Sequence, residues 1–225
     1  MSEKASWWVV CEAARQGLHP VGLELLGQAA RLKGEGRVTA VVLGCGVAQE
    51  ARQLFHYGAD RVLALDDAAL SVREEMRYAD ELALLAREEQ PDIVLMGATA
   101  FGRSLAPRLA AQLETGLTAD CTALEVQPET GLLLQTRPAF GGNLMATILC
   151  PDRKPQMATV RPRVFSALEP NRTRNGEVEL RPARAAASAA QVLEDRTNAS
   201  DASIADADVL VAVGAGIGSD ENIAL

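Results

Sequence analysis

Two stretches carry side chains whose types and spacing could do chemistry. "TRPAFGGNLMATI" (136–148) sets Arg137, Phe140, Gly141 and Gly142 close together and then runs into apolar and small residues. A surface hairpin needs only the glycines, so the guanidinium and the aromatic ring ask for a further explanation. "GATAFGRSLAPR" (97–108) places Thr99, Gly102 and Arg103 just before Leu105, Leu109 and Leu113, which recur at helical spacing. A backbone N–H cluster, a hydroxyl and a guanidinium would then meet at a helix start, which is an anion-accepting arrangement. The competing reading makes Thr99 a helix cap and leaves Arg103 solvated. Two glycine turns are weaker signals. "GCGVAQE" (44–50) has Gly44 and Gly46 but no third glycine, so a tight strand-to-helix turn explains it as well as a nucleotide loop does. "DADVLVAVGAGIGSDEN" (206–222) sets Gly214, Gly216, Gly218 and Ser219 after an apolar run.

Other chemistries find little support. The four cysteines, Cys11, Cys45, Cys121 and Cys150, form no CxxC pair and read as buried reduced thiols. His19 and His56 have no cysteine or carboxylate at ligand spacing, and no Ser/His/Asp or Cys/His constellation is present. A net charge of −8 argues against nucleic acid. The charge is uneven: residues 137–184 carry nine Lys/Arg against four Asp/Glu, so an anionic ligand or an acidic partner could be met there. A bias toward arginine in the whole chain, 19 Arg against 3 Lys, is the plainer explanation. The N-terminus has no basic region followed by an apolar core, and no apolar run approaches the ~20 residues of a membrane span, so a cytoplasmic location is expected.

The elements that must position these residues alternate in period. Strand-like runs at 6–13, 37–44, 61–66 and 92–98 alternate with helical patterns at 19–34, 48–60 and 72–90, the last stopped by Pro91. "RVTAVVLG" (37–44) is apolar on both faces, as a strand between two helix layers should be. The expected fold is therefore α/β, a Rossmann-like parallel sheet covered by helices on both faces. Ligands in such sheets bind beyond the carboxyl ends of the strands, which selects the loops "EAARQG", "GCGVAQE" and "GATAFGRSLAPR". After residue 115 four extended runs, "GLTADCTALEVQ", "LLLQTRPAF", "NLMATILC" and "PQMATVRPRVF", predict an extension of the sheet by antiparallel strands and hairpins, with one more strand near "GEVELRP". The expected division is an α/β domain over 1–200, then, over 201–225, the opening strand and glycine turn of a further domain.

Three stretches, "PDIVLMGATAFGRSLAPRLAAQLETGLTADCTALE", "TRPAFGGNLMATI" and "KPQMATVRPRVF", together closely resemble the N-terminal domain of the electron transfer flavoprotein alpha subunit, and the resemblance runs in order over roughly 5–222. It implies an electron carrier rather than an enzyme. In that family the alpha chain pairs with a beta subunit, and FAD carries electrons from acyl-CoA-type dehydrogenases, as in fatty acid beta-oxidation, to a quinone reductase or other acceptor. It also implies that the C-terminal FAD domain begins at residues 201–225, with Gly214, Gly216 and Ser219 in its first turn, and that the beta subunit holds AMP or, in electron-bifurcating members, a second FAD. Ala215 stands where the family usually has an arginine, which puts flavin contact from this turn in doubt, and this sequence by itself is expected to bind FAD weakly or not at all. By the same resemblance Arg137, Phe140 and Gly141 face the beta subunit near the second flavin. A guanidinium there would stabilise the reduced anionic ring, an aromatic could cover it, and the glycines allow close backbone approach. The alternative pairs Arg137 with a carboxylate such as Asp120 and buries Phe140. Two other functions remain open at this point: a small nucleotide-binding protein of the universal-stress type, against whose ATP-cleaving relatives "EAARQG" lacks an SGGxDS-type loop, and a cofactor-free dimerisation scaffold.

Overall fold

β-Branched and small apolar residues line both faces of the central strands, so the sheet needs cover on each side, and helices supply it. The structure, a computed structural model, describes residues 4–14, 17–184, 193–194, 207 and 209–223. The elements are β1 (Ser6–Glu12), α1 (Pro20–Leu32), β2 (Arg37–Gly44), α2 (Ala48–Ala51), β3 (Arg61–Asp66), α3 (Glu75–Glu89), β4 (Ile93–Gly97), α4 (Ala100–Gln112), β5 (Leu117–Cys121), β6 (Ala123–Val126), β7 (Leu133–Ala139), β8 (Leu144–Ile148), β9 (Gln156–Val160) and β10 (Val178–Arg181). Seven strands form one parallel sheet in the order β10-β3-β2-β1-β4-β9-β5. On one face Trp7, Val9, Val38, Ala40 and Val62 pack with Leu25, Leu26 and Ala29 of α1. On the other face Trp8, Val41, Leu63 and Val94 pack with Leu82 and Leu85 of α3 and Leu105 and Leu109 of α4.

The helix ends obey local chemistry. Pro20 opens α1, where its missing N–H costs nothing, and His19 caps it, accepting from Val21 N–H at 3.3 Å through Nδ1. Glu74 caps α3, and Gln90 ends it in a left-handed conformation one residue before Pro91. The helix expected over 48–60 is a single α turn followed by a 3₁₀ segment, Arg52–Tyr57, which ends at Gly58 with φ 114°. Pro107 lies inside α4, where it leaves the Arg103 carbonyl without an i+4 donor.

The second half departs from the expected simple extension of the sheet. The run 116–127 breaks at Thr122, so that β5 joins the parallel sheet while β6 pairs antiparallel with β7. β6, β7 and β8 form a separate three-stranded sheet, and β9 slots in parallel between β4 and β5. All five residues of β9 are buried, which explains why "QMATV" carries no charge. Polar residues on α1 dock the segment that leaves β9: Glu24 accepts from Arg163 N–H at 2.9 Å, and Arg31 donates to the Ser166 carbonyl at 3.3 Å. Residues 166–177 then run past α1 and the 3₁₀ segment to reach β10. Arg174 donates to the Phe55 and Ala59 carbonyls and to Asp60, closing the end of that segment. Arg61 holds β10 by hydrogen bonds to both Glu89 and Glu179.

The chain divides into compact units Met1–Gln191 and Val192–Leu225. In the second unit, residues 209–214 were expected as a strand and have no regular structure, and Val209 and Val211 are exposed. A strand needs a neighbour to satisfy its backbone, and among the described residues none pairs with this run. No helix among the described residues is long and apolar enough to cross a membrane.

Asp60 ties this architecture together and gives it a pH dependence. Burial alone would raise its pKa, but hydrogen bonds from Lys33, from Val38 N–H at 2.9 Å and from Arg174 at 3.0 Å hold the carboxyl below its usual range. A lowered folded-state pKa means that the stabilisation is present above the unfolded value, near ~3.9, and is lost as pH falls through the folded one. Asp60→Asn is therefore expected to cost about 1–3 kcal/mol in urea unfolding at pH 7, and the gap between parent and variant is expected to shrink toward zero at acid pH.

Candidate functional site

At the carboxyl ends of β1 and β4, where the chain turns to opposite sides of the sheet, the α/β architecture offers its usual ligand crevice. Here it is filled by the chain's own side chains. Thr99 caps α4, accepting from Gly102 N–H at 2.9 Å, and donates its hydroxyl proton to Glu12 at 2.6 Å. Glu12 is also ion-paired with Arg73. The Arg73 guanidinium lies 4.4 Å from the centre of the Phe101 ring, and Phe101 meets Tyr78 edge-on at 5.3 Å. Desolvation pushes the Tyr78 phenol up to about 12, and its hydroxyl donates to the Leu70 carbonyl. Beneath these groups remains a void of ≈ 20 Å³ among Val10, Leu43, Met96 and Leu105, room for a water and not for a nucleotide.

The glycine turn after β2, "GCGVAQE", is closed in the same way. Asp66, at the end of β3, accepts from Gly46 N–H at 2.6 Å and Ala48 N–H at 3.0 Å, so a carboxylate of the chain occupies the place a phosphate would take. Gly44 and Gly46 thus serve the turn. Cys45, between them, is exposed and Cys150 is half-buried, while Cys11 and Cys121 are buried; all four are free. The expectation of four buried thiols fails for the two that lie in loops beyond strand ends. No group of three or more His, Cys, Asp or Glu among the described residues could hold a metal ion.

At Thr99, Gly102 and Arg103 the plainer reading holds for the cap but not for a solvated arginine. Thr99 is the cap. Gly102 is glycine because a Cβ there would lie 2.0 Å from the Gly97 carbonyl oxygen. Arg103 donates through Nε to Asp120 at 3.1 Å. Asp120 was the carboxylate that the alternative reading set beside Arg137, and here it pairs with a different arginine. The Arg137 side chain, half-buried on β7 opposite Ala146 of β8, donates among the described residues only to its neighbour's carbonyl, Pro138 O, at 3.4 Å. No carboxylate lies within salt-bridge distance of it among the described residues.

Phe140 is 84% exposed, which rules out the alternative that made it core. It stands at φ 47°, followed by Gly141 at 71° and Gly142 at 94°, three successive left-handed residues at the tip of the β7–β8 hairpin. An aromatic held in this region carries backbone strain of about 1–2 kcal/mol. Beyond the tip, Leu144, Met145, Ile148 and Leu149 are all exposed. Among the described residues β8 pairs with β7 alone, which leaves its other edge open, and the strand carries no charge. In the second unit Gly214 precedes a 3₁₀ turn, Ala215–Ile217, and Gly216 and Ser219 are exposed.

Sequence reasoning missed Glu12, Asp66 and Arg73. Each acts across more than fifteen residues of chain, and no local spacing announces them. The bare apolar edge of β8 was legible in the uncharged run 143–149, which in the sequence shows only as one of four extended runs prolonging the sheet.

Fold and site together define a Rossmann-like α/β domain in which, among the described residues, side chains of the chain fill the nucleotide crevice and an arginine without a carboxylate partner lies on an attached sheet. Residues 7–186 match the family model of the electron transfer flavoprotein domain. The chain belongs to the electron transfer flavoprotein family. It is 41% identical to an electron transfer flavoprotein subunit alpha of Thermoanaerobacterium thermosaccharolyticum, over 98% of this chain and 68% of the relative. It is 42% identical to a protein FixB of Clostridium saccharobutylicum, over 97% of this chain and 66% of the relative. It is also 39% identical to a lactate dehydrogenase (NAD(+),ferredoxin) subunit LctC of Acetobacterium woodii, over 92% of this chain and 50% of that one. The chain spans about two thirds of the length of the first two relatives.

Because Gly102 serves packing, Gly102→Ala is expected to destabilise the fold by about 1–3 kcal/mol in chemical denaturation. Any binding lost with it should return once the folded fraction is corrected for; a binding defect in fully folded protein would contradict the structural role.

Proposed function

We propose that this chain acts as the alpha-type chain of a heterodimeric electron transfer flavoprotein, lending an arginine to a flavin that a beta-type partner encloses. The observation that carries the reading is Arg137, a half-buried guanidinium with no carboxylate partner among the described residues, beside a strand edge that none of them pairs with and that carries no charge. An unpaired charge next to exposed apolar surface is costly in isolation and useful at an assembled interface. The edge of β8 suits main-chain pairing with a strand of the partner, and Leu144, Met145 and Ile148 supply the apolar contact.

The residues present fit a flavin ring presented from across that edge. Arg137 would place positive charge where reduction leaves negative charge, Phe140 would cover a ring face, and Gly141 and Gly142, with open space at their Cβ positions, would let the backbone come close. A flavin held there supplies the one- and two-electron chemistry; the protein supplies contact, charge and exclusion of water. FAD in the alpha chain's C-terminal domain, AMP as the alternative occupant of the beta subunit, acyl-CoA dehydrogenase-type donors and quinone oxidoreductase-type acceptors belong to the same reading. So does a cytoplasmic location. The shut crevice beside Glu12 counts against a free-standing nucleotide-binding protein.

In the heterodimer assembled from the full-length alpha chain and its beta partner, Arg137→Ala is expected to lower the potential of the partner-side flavin. The shift should be about 20–40 mV for a two-electron couple, equivalent to ~1–2 kcal/mol, with flavin content kept. Unchanged potentials in redox titration would remove the proposed role, and recovery of AMP in place of flavin would assign that site to a nucleotide. Separately, Met145→Lys on β8 is expected to weaken assembly by roughly tenfold or more while far-ultraviolet circular dichroism stays unchanged.

A further inference from the structure

Arg137 owes its free charge to how a neighbouring carboxylate is engaged. Asp120 sits at the end of β5, at a bulge where the register with β9 shifts between Thr118 and Cys121. It adopts φ 61°, a left-handed backbone that aspartate tolerates better than most residues. Its N–H donates to Thr159 Oγ1 at 3.0 Å, which pins the backbone and leaves the side chain to turn about its own bonds. The next two residues tie this corner to both sheets: Cys121 O accepts from Arg161 N–H at 3.1 Å, and Thr122 N–H donates to Thr136 O at 2.8 Å, one residue before Arg137. The Cys121 thiol registers both charges. Burial pushes it up to about 11, Arg137 pulls against that shift and Asp120 adds to it. The Thr122–Thr136 hydrogen bond thus puts Asp120, two residues before it on one strand, and Arg137, one residue beyond it on the other, at the same corner, yet Asp120 is bonded to Arg103, from the first turn of α4.

We infer that Arg103 is a positioning residue: by holding Asp120 toward α4 it keeps that carboxylate from neutralising Arg137, whose charge is thereby left for an anionic group across the β8 edge. This deepens the flavin reading above and rests on it for the identity of that group, while the pairing itself is a property of this chain. The Arg103–Asp120 contact is part-exposed, with the arginine side chain 55% and the aspartate side chain 23% accessible, and a pair open to solvent on one side adds only modestly to stability. Its effect is one of direction. With Arg103 removed, the pinned Asp120 has one fewer cation to face, and the nearby guanidinium of Arg137 takes its place.

Two measurements decide the matter. In the first, arginine Nε–H signals of the intact chain are followed by NMR through the titration of Asp120, with Asp120→Asn identifying which shifts belong to it. The Arg103 signal is expected to follow Asp120 in the parent and the Arg137 signal to stay still; in Arg103→Ala the Arg137 signal is expected to follow it. An Arg137 signal that ignores Asp120 in Arg103→Ala, or already follows it in the parent, overturns the inference. In the second, the full-length heterodimer is titrated for flavin potential. Arg103→Ala is expected to shift the potential in the same direction as Arg137→Ala but less far, Arg103→Lys to keep most of the parent value, and Arg103→Ala combined with Asp120→Asn to return toward it. A shift with Arg137→Ala and none with Arg103→Ala overturns the positioning role. No shift with Arg137→Ala overturns the flavin reading instead, and the NMR result then decides the pairing alone.

Discussion

Backbone N–H groups at the starts of helices, and cations at the ends of strands, need negative partners, because polar groups left unmatched away from water cost more than most contacts supply. This domain meets the need internally at two places where its architecture would ordinarily recruit a phosphate. Asp66 takes the turn after β2, and Thr99 with Glu12 takes the start of α4. Arg73 neutralises Glu12 and lies over Phe101. Once these places are filled, positive charge is left over on the small antiparallel sheet, outside the ligand crevice of the main one.

That sheet projects from the body and still has to be held still, since a guanidinium displaced by an ångström meets a cofactor poorly. Its support comes from several directions. β5 and β6 are consecutive, so the small sheet grows directly from the edge of the large one. Gln156, buried in β9, accepts from Leu133 N–H at the start of β7. Leu124 and Leu133 pack into the core beside α1. The strap after β9 is fastened by Glu24, Arg31 and Arg174 and ends in the Arg61 pairing at the far edge. The hairpin tip at Phe140 and the outer edge of β8 are exposed among the described residues, so these contacts support the sheet behind the proposed interface.

The parallel core was legible because its signals are local. A doubly apolar strand such as 37–44 and a helix bounded by Glu74 and Pro91 declare themselves within a few residues through period, cap and breaker. Arg137 and Phe140 were visible too, as side chains a hairpin does not require, although what they face came from family resemblance rather than from spacing. The separate antiparallel sheet was not legible, because 116–127 reads as one extended run and only packing puts the break at Thr122. Likewise "QMATV" shows an apolar strand without showing which strands it lies between.

The amino-acid order by itself determined which segments are strands and helices, and that an arginine and an aromatic sit at one turn, since propensity, period and capping act over a few residues. Tertiary structure alone decided which charges meet. Asp120 could answer Arg103 or Arg137 as far as composition goes. A left-handed bulge fastened to Thr159 came with Arg103 as its partner. Electrostatic pairing depends on distance in space, and the chain that joins two residues does not record that distance.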